Sequence, residues 1–419
     1  MTRYADLAER YGSPLYVYDL DRVAAARRDL FAALPEEFEL FYAIKANPHP
    51  EVVRTLREGG DSGGVRACRA EISSTGELAV ALAAGFSGEK ILYTGPGKTG
   101  RELREAIGLG VRMFSVESLG DMRHIGEAAV ELGVEVDALL RVNSASASAT
   151  TSIRMTGTPS QFGIDSEILP EVLPELRAVP GTRVAGFHFF PLSNAKNEEA
   201  LIGEFQNTIA LAARLQEELD LPLRFLDIGG GFTLPYAVPG ERPIYGKLRS
   251  ELESTLDVHL PGWRDGAPRI ACESGRYLVG DSGTLVAGVS NVKESRGRKF
   301  VILDAGINTF GGMSGLGRLL PVAVQLEAEE EPSQKATLVG PLCTPGDILG
   351  REVALPPLDS GDVVSIPNAG AYGPTASLLM FLGRPAPTEV IVRGDEVVSV
   401  SRIEHTRSYQ VGSGPNVRQ

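Results

Sequence analysis

The chain has 419 residues and a formal net charge of −13. That length points to two domains, and that charge disfavours nonspecific binding to nucleic acid or to an anionic membrane. No apolar run approaches the ~20 residues of a membrane span, and the N-terminus "MTRYADLAERYGSPLYVYDL" lacks an apolar signal core, so a cytoplasmic protein is expected. The cysteines, Cys68, Cys272 and Cys343, are scattered and odd in number, which suits neither a disulfide framework nor a structural zinc site. The histidines include no HExxH spacing, and no metal site is expected.

In chain order, "PLYVYDL" reads as an isolated strand. From residue 38, β-rich runs alternate with amphipathic stretches. The runs are "FELFYAIKA", "GVRACRAEI", "KILYTG", "VRMFSVES", "VEVDALLRVN", "RVAGFHFF", "LRFLDIGGGF" and "RIACES". Eight strands and their helices over ~240 residues match a (β/α)8 TIM-like barrel, placed at residues 30–275. "RVNSASASATTSIRMTGTPS" reads as a long loop after strand five. Beyond residue 276 the pattern becomes strand and turn: "TLVAGVSNV", "KFVILDAG", "LLPVAVQLE", "KATLVGPL", "DVVSIPN", "TEVIVRG" and "EVVSVSRIE". These form a β-sandwich or barrel domain of residues 276–419, which residues 1–29 could join. The fold class is therefore α/β plus β. "QVGSGPNVRQ" reads as a loose tail.

Chemistry on such barrels sits at the C-terminal ends of the strands. "FYAIKANPHP" ends strand one in Lys45, although a solvated lysine is the commoner meaning of a lysine at a strand end. Strand seven ends in Gly229, Gly230 and Gly231, whose bare amides can cradle an anion or simply make a tight turn. Strand eight ends in "ESGR", with Glu273 and Arg276 either facing the mouth or paired with one another. A lysine, an anion cradle and a carboxylate at one mouth suggest pyridoxal phosphate, because a lysine amine condenses with its aldehyde. No phosphate-loop or dinucleotide motif follows a strand, so a nucleotide fits less well. Later stretches bring Cys343 and Asp347 in "GPLCTPGD" and Tyr372 in "NAGAYGPTAS"; each can be functional or merely packed.

Together these stretches resemble the fold-type III pyridoxal-phosphate decarboxylases, the diaminopimelate and ornithine decarboxylase family, whose barrel is that of alanine racemase. The resemblance spans nearly the whole chain in motif order. It implies that Lys45 of "YAIKAN" carries the cofactor and that Ser74, Gly76 and Glu77 of "EISSTGE" lie near it. It implies that Gly229, Gly230, Gly231, Arg276 and Tyr372 hold the phosphate, that Gly275 also meets the cofactor, and that Glu273 pairs with the pyridinium nitrogen. His188, Phe190 and Ser193 of "GFHFFPLSN" would also meet the cofactor. Cys343 would be the general acid, reaching the site of a neighbouring protomer in a homodimer.

Three departures stand against the family pattern. The second histidine of its "GxHxHxGS" stretch is Phe190 here, which can stack but carries no charge. The residue after the catalytic cysteine is acidic in enzymes acting on diamino acids and is Thr344 here; a buried ammonium without a counter-charge is costly. "ESGR" replaces "EPGR". "DAGINTFGGMSGLGR" and "GAYGPTASLLMFLGRPAPTEVIV" resemble a secondary-metabolism branch that decarboxylates conjugated or carrier-protein-bound amino acids. The expected activity is decarboxylation of such a substrate, with Arg318, Thr344 and Asp347 as substrate contacts. Diaminopimelate decarboxylation and amino-acid racemisation are the alternatives, with a non-catalytic cofactor-binding protein further behind.

Overall fold

The computed structural model describes residues 3–58, 66–144, 153–154, 160–311, 323–327 and 331–408. Eight parallel strands close into a barrel: Glu39–Ala43, Arg69–Ile72, Ile91–Tyr93, Met113–Val116, Val136–Asn143, Thr182–His188, Phe225–Asp227 and Arg269–Ser274. The last pairs back on the first, Glu273 opposite Phe41. These strands are buried along both faces, as a barrel lined by helices requires. Phe41, Leu92, Met113, Leu139, Ala185, Phe225 and Ala271, from seven of the strands, pack on one another and fill the lumen. The opposite parity, including Leu40 and Tyr42, packs outward under the helices.

The second domain is one sheet of eight strands among the described residues. Its path runs Ile348–Leu355, Gln334–Val339, Arg298–Leu303, Gly283–Ser295, Leu15–Asp19, Thr388–Arg393 and Glu396–Arg402, with Val363–Ile366 added on Gly283–Ser295. The first half of Gly283–Ser295 pairs with Leu15–Asp19 and Val363–Ile366; the second half pairs with Arg298–Leu303 beyond a bulge at Val289 and Asn291. Leu15–Asp19 lies between Gly283–Ser295 and Thr388–Arg393 and is buried almost throughout.

One expected strand of this sheet needs correction, and one strand was not anticipated. The expected strand "LLPVAVQLE" makes no strand in its described part, residues 323–327; Glu327 alone bridges to Ser365. Ile348–Leu355 is a full strand whose apolar alternation is broken by Gly350, Arg351 and Glu352, with register shifts opposite Ala336 and Leu338. Such bulges erase the period-two signal. Within the expected long loop after strand five, Ile153–Arg154 pairs with Leu192–Ser193; the rest of its central stretch lies outside the described residues.

The sheet domain leans on the C-terminal mouth of the barrel. Tyr372 N–H donates to the Ala46 carbonyl at 2.7 Å, and the Asn47 amide donates to the Gly370 carbonyl at 2.9 Å. The turn carrying Tyr372 is thereby fastened to the turn carrying Lys45.

Candidate active site

Lys45 leaves the first barrel strand in a single helical turn, Ile44–Ala46, whose other two side chains are buried. Asn47 precedes a proline and is extended, which stops the turn. Its carbonyl accepts from the Tyr42 hydroxyl at 2.7 Å, and its Oδ1 accepts from His49 N–H at 3.0 Å. The turn is therefore pinned while the lysine side chain stays 43% exposed at the mouth.

Lys45 Nζ donates to both oxygens of Glu71, at 3.1 and 3.0 Å. Glu71 ends the second barrel strand, is almost fully buried, and also accepts from the Thr94 hydroxyl. Partial desolvation at the mouth opposes the ammonium, but Glu71 and then Glu273 outweigh it and hold the Lys45 pKa above its ordinary value.

Glu273, in the eighth strand, is buried. Its Oε1 lies 2.9 Å from His188 Nε2, while His188 Nδ1 meets the Ser115 hydroxyl at 2.7 Å. Burial raises the Glu273 pKa, but His188, then Lys45 and Arg141, more than offset it, so the carboxylate sits below its usual range. Asp227 shows the reverse. Burial, and then the nearby Glu273, push it up to about 7. One buried carboxylate is thus charged beside a neighbour that readily holds a proton.

The anion cradle faces them. Gly229 sits at φ +78° with no room beside the Phe189 carbonyl. A Cβ on Gly230 would come within 2.8 Å of the Glu273 carbonyl and 3.3 Å of the Phe190 ring. Only bare backbone fits there. The Arg276 guanidinium lies 4.4 Å over the Tyr236 ring and 5.1 Å over the Tyr372 ring. Among the described residues it pairs with no carboxylate, so its charge is left for an anion. Phe190 lies between two cations, its ring centre 6.0 Å from Lys45 Nζ and 6.0 Å from Arg141 Cζ. Arg141 is itself held by Glu117 at 3.0 Å.

Lys45, Phe190, Ser193, Gly230, Gly231, Glu273, Gly275, Arg276 and Tyr372 share the wall of one cavity, with Gly229 just behind it. Other expected residues lie elsewhere. Ser74 caps the helix Thr75–Ala83 by accepting from Glu77 N–H, whereas neighbouring Ser73 approaches Glu71. His188 stands behind Glu273 and off the cavity wall. Asp347 is not a free substrate contact, because its oxygens accept from Ile307 and Leu342 N–H at 2.8 and 2.7 Å. Cys343 is exposed and Thr344 is half-buried, on a turn that does not line the cavity of its own chain. Arg318 lies outside the described residues. The sequence reading missed Glu71, Arg141 and Asp227. Each is a charged residue in or closing an apolar barrel strand, the signal that singled out Lys45.

The donor set fits pyridoxal phosphate: an amine within reach of an aldehyde, a charged carboxylate for the ring nitrogen, and an unpaired guanidinium with bare glycines for the phosphate. Comparison with known proteins agrees. Residues 20–280 match the model of the pyridoxal-dependent decarboxylase, pyridoxal binding domain. The chain is 30% identical over 407 residues to the L-glutamyl-[BtrI acyl-carrier protein] decarboxylase of Niallia circulans, covering 94% of this chain and 92% of that protein. It is 34% identical over 397 residues to the diaminopimelate decarboxylase of Methanothermobacter thermautotrophicus, covering 94% and 89%. The structure of diaminopimelate decarboxylase from Helicobacter pylori complexed with L-lysine superposes with a TM-score of 0.79 at 26% identity, covering 96% and 95%. With a matching barrel, a matching donor set and similarity along nearly its whole length, the chain belongs to the pyridoxal-dependent decarboxylases and uses pyridoxal phosphate to remove the carboxylate of an amino acid.

Proposed function

We propose that the substrate is an amino acid whose far end is conjugated or borne on a carrier protein, within a biosynthetic pathway of secondary metabolism. The observation that carries this reading is the state of the Cys343 turn. Thr344 stands where enzymes of diamino acids place an acid, and Asp347 spends both oxygens on backbone amides. The turn therefore offers no free carboxylate to a distal ammonium. The similarity to a decarboxylase of a carrier-bound glutamyl group supports the same reading.

Bound pyridoxal phosphate supplies an electron sink for the pair left when carbon dioxide departs. Lys45 would hold the cofactor at Nζ. Glu273, kept ionised by His188, holds the proton on the ring nitrogen. Arg276, Tyr372 and the amides of Gly230 and Gly231 would bind the phosphate, whereas the Gly229 N–H is donated to Asp227 Oδ1 at 2.9 Å; Phe190 would cover the ring. Cys343 returns a proton to Cα across the interface of a homodimer, in which residues 30–275 form the cofactor-binding barrel and residues 1–29 with 276–419 contribute to the active site and to the dimer interface. Among the described residues no helix is long and apolar enough to cross a membrane; the expected setting is the cytoplasm.

The test is carbon dioxide release from a panel: diaminopimelate, lysine, ornithine and arginine against conjugated amino acids and carrier-bound glutamate. Release only from a conjugate supports the proposal. Turnover of a free diamino acid at an ordinary enzymatic rate would return the protein to primary metabolism. Solvent deuterium entering Cα without loss of carbon dioxide would favour racemisation.

A further inference from the structure

A second cleft, about 370 Å³, lies behind the active-site turns. One wall is the chain just past Lys45, from Ala46 to Glu51; another is Gly373–Thr375, just past Tyr372. The remaining wall is the end of the sheet domain. There Glu389 lies directly across from Ser401 on the neighbouring antiparallel strand, and Ser399 follows two residues on. Period-two alternation places these three side chains on one face.

Glu389 is 7% exposed. Among the described residues it pairs with no lysine or arginine, and its polar partner is the Tyr18 hydroxyl. The nearest candidates for a counter-charge are otherwise engaged. Arg402 donates to the Thr388 hydroxyl at 2.7 Å. His49 Nδ1 accepts from Glu51 N–H at 3.3 Å, which leaves its proton on Nε2, 3.1 Å from the Ser401 hydroxyl. That ring is therefore neutral, and burial holds its pKa down at about 4. The Ser399 hydroxyl is buried without a partner. A buried carboxylate without a counter-charge and a buried hydroxyl without a partner are costly unless something occupies the cleft.

We infer that this cleft is a binding site for a small primary ammonium, held by the Glu389 carboxylate and the Ser399 and Ser401 hydroxyl oxygens. Three acceptors on one sheet face match the three N–H donors of an alkylammonium. The class is pertinent to the enzyme, because decarboxylation turns an amino acid into an amine. The bond from Tyr372 N–H to the Ala46 carbonyl ties two walls of the cleft together, and both walls continue directly into the active site. An amine seated there bears on the turns of Lys45 and Tyr372 without entering the cavity between them.

The test uses holoenzyme reduced with borohydride, so that an amine cannot condense with the cofactor. Ethylammonium and its uncharged counterpart ethanol are titrated by ligand-observed NMR. Expected are saturable binding of ethylammonium, none of ethanol, and at least about tenfold weaker binding in Glu389→Gln. Equal binding of ethanol, unchanged affinity in Glu389→Gln, or no binding of ethylammonium at all would overturn the inference. Should Glu389→Gln not fold, Ser401→Trp at the exposed rim fills the cleft mouth; binding that survives it unchanged is equally fatal.

Discussion

The His188 ring stands 2.9 Å from the Glu273 carboxylate and keeps that acid ionised inside the barrel. Its other nitrogen is committed to Ser115, so the ring is held from both sides. His188→Ala should therefore let the Glu273 pKa rise. A neutral Glu273 holds the ring-nitrogen proton poorly. The expected result is a 10- to 100-fold loss of kcat, of the order associated with lost support behind a catalytic group, and an acid limb of the pH–rate profile displaced upward. A rate loss with an unmoved acid limb would show a purely structural role.

Glu71 should be a positioning residue for Lys45, since it receives both hydrogen bonds from Nζ. Glu71→Gln removes the leading influence that raises the lysine's pKa. In the cofactor-free protein the Lys45 amine should then titrate lower and react faster with an aldehyde reagent near neutral pH. Rapid-mixing absorbance measures that rate, and an unchanged rate refutes the assignment.

Gly229→Ala should cost stability, because the residue sits at φ +78° against the Phe189 carbonyl. Strain and the close backbone together suggest about 2 kcal/mol or more. Thermal unfolding of the cofactor-free protein reads this directly, and weaker binding of pyridoxal phosphate should accompany it.

Subunit mixing tests whether Cys343 serves the site of a partner protomer. Lys45→Ala and Cys343→Ala proteins should each be nearly inactive alone. If Cys343 serves the partner's site, random reassociation of two dimer types restores about a quarter of wild-type activity, because half the dimers carry one intact site. No recovery on mixing, with heterodimers demonstrated, would refute the contribution of Cys343 to the partner's site.

Glu389 makes a pH-dependent contribution to stability. Burial pushes its pKa from 4.5 up to about 7. The folded chain then holds a proton that the unfolded chain releases, so stability is lost as pH rises from about 4.5 to about 7. Glu389→Gln lacks that loss. Relative to wild type it should gain about 3 kcal/mol between pH 4.5 and pH 8, on the order given by the size of the displacement. Denaturant unfolding at the two pH values measures it.

Much of this site was legible because charge is conspicuous against an apolar strand. Lys45, Glu273 and Arg276 lie at or just beyond the ends of strands buried along nearly their whole length, and the glycine run after Asp227 has few other uses. Glu71 was harder. The stretch "EISSTGE" carries two acids, and which one faces the lumen depends on the register of Arg69–Ile72 in the barrel, which spacing alone does not give. Asp347 misled for the opposite reason. An acid in a glycine-rich turn looks free, yet Gly306 and Gly340 let it close against the backbone amides of Leu342 in its own turn and of the distant Ile307. Ile348–Leu355 escaped because its bulges break the alternation that marks a strand.

The position of Leu15–Asp19 governs the order in which this protein can be completed. Its neighbours are Gly283–Ser295 and Thr388–Arg393, so a growing chain presents Leu15 and Val17 long before either neighbour exists. The barrel can assemble during synthesis, while the strand at the start waits hundreds of residues for its partners. During that interval its apolar edge is open to pairing with other nascent chains. Loss of Thr388–Arg393 through premature termination would leave the edge permanently unpaired, turning a strand of the sheet into a template for aggregation.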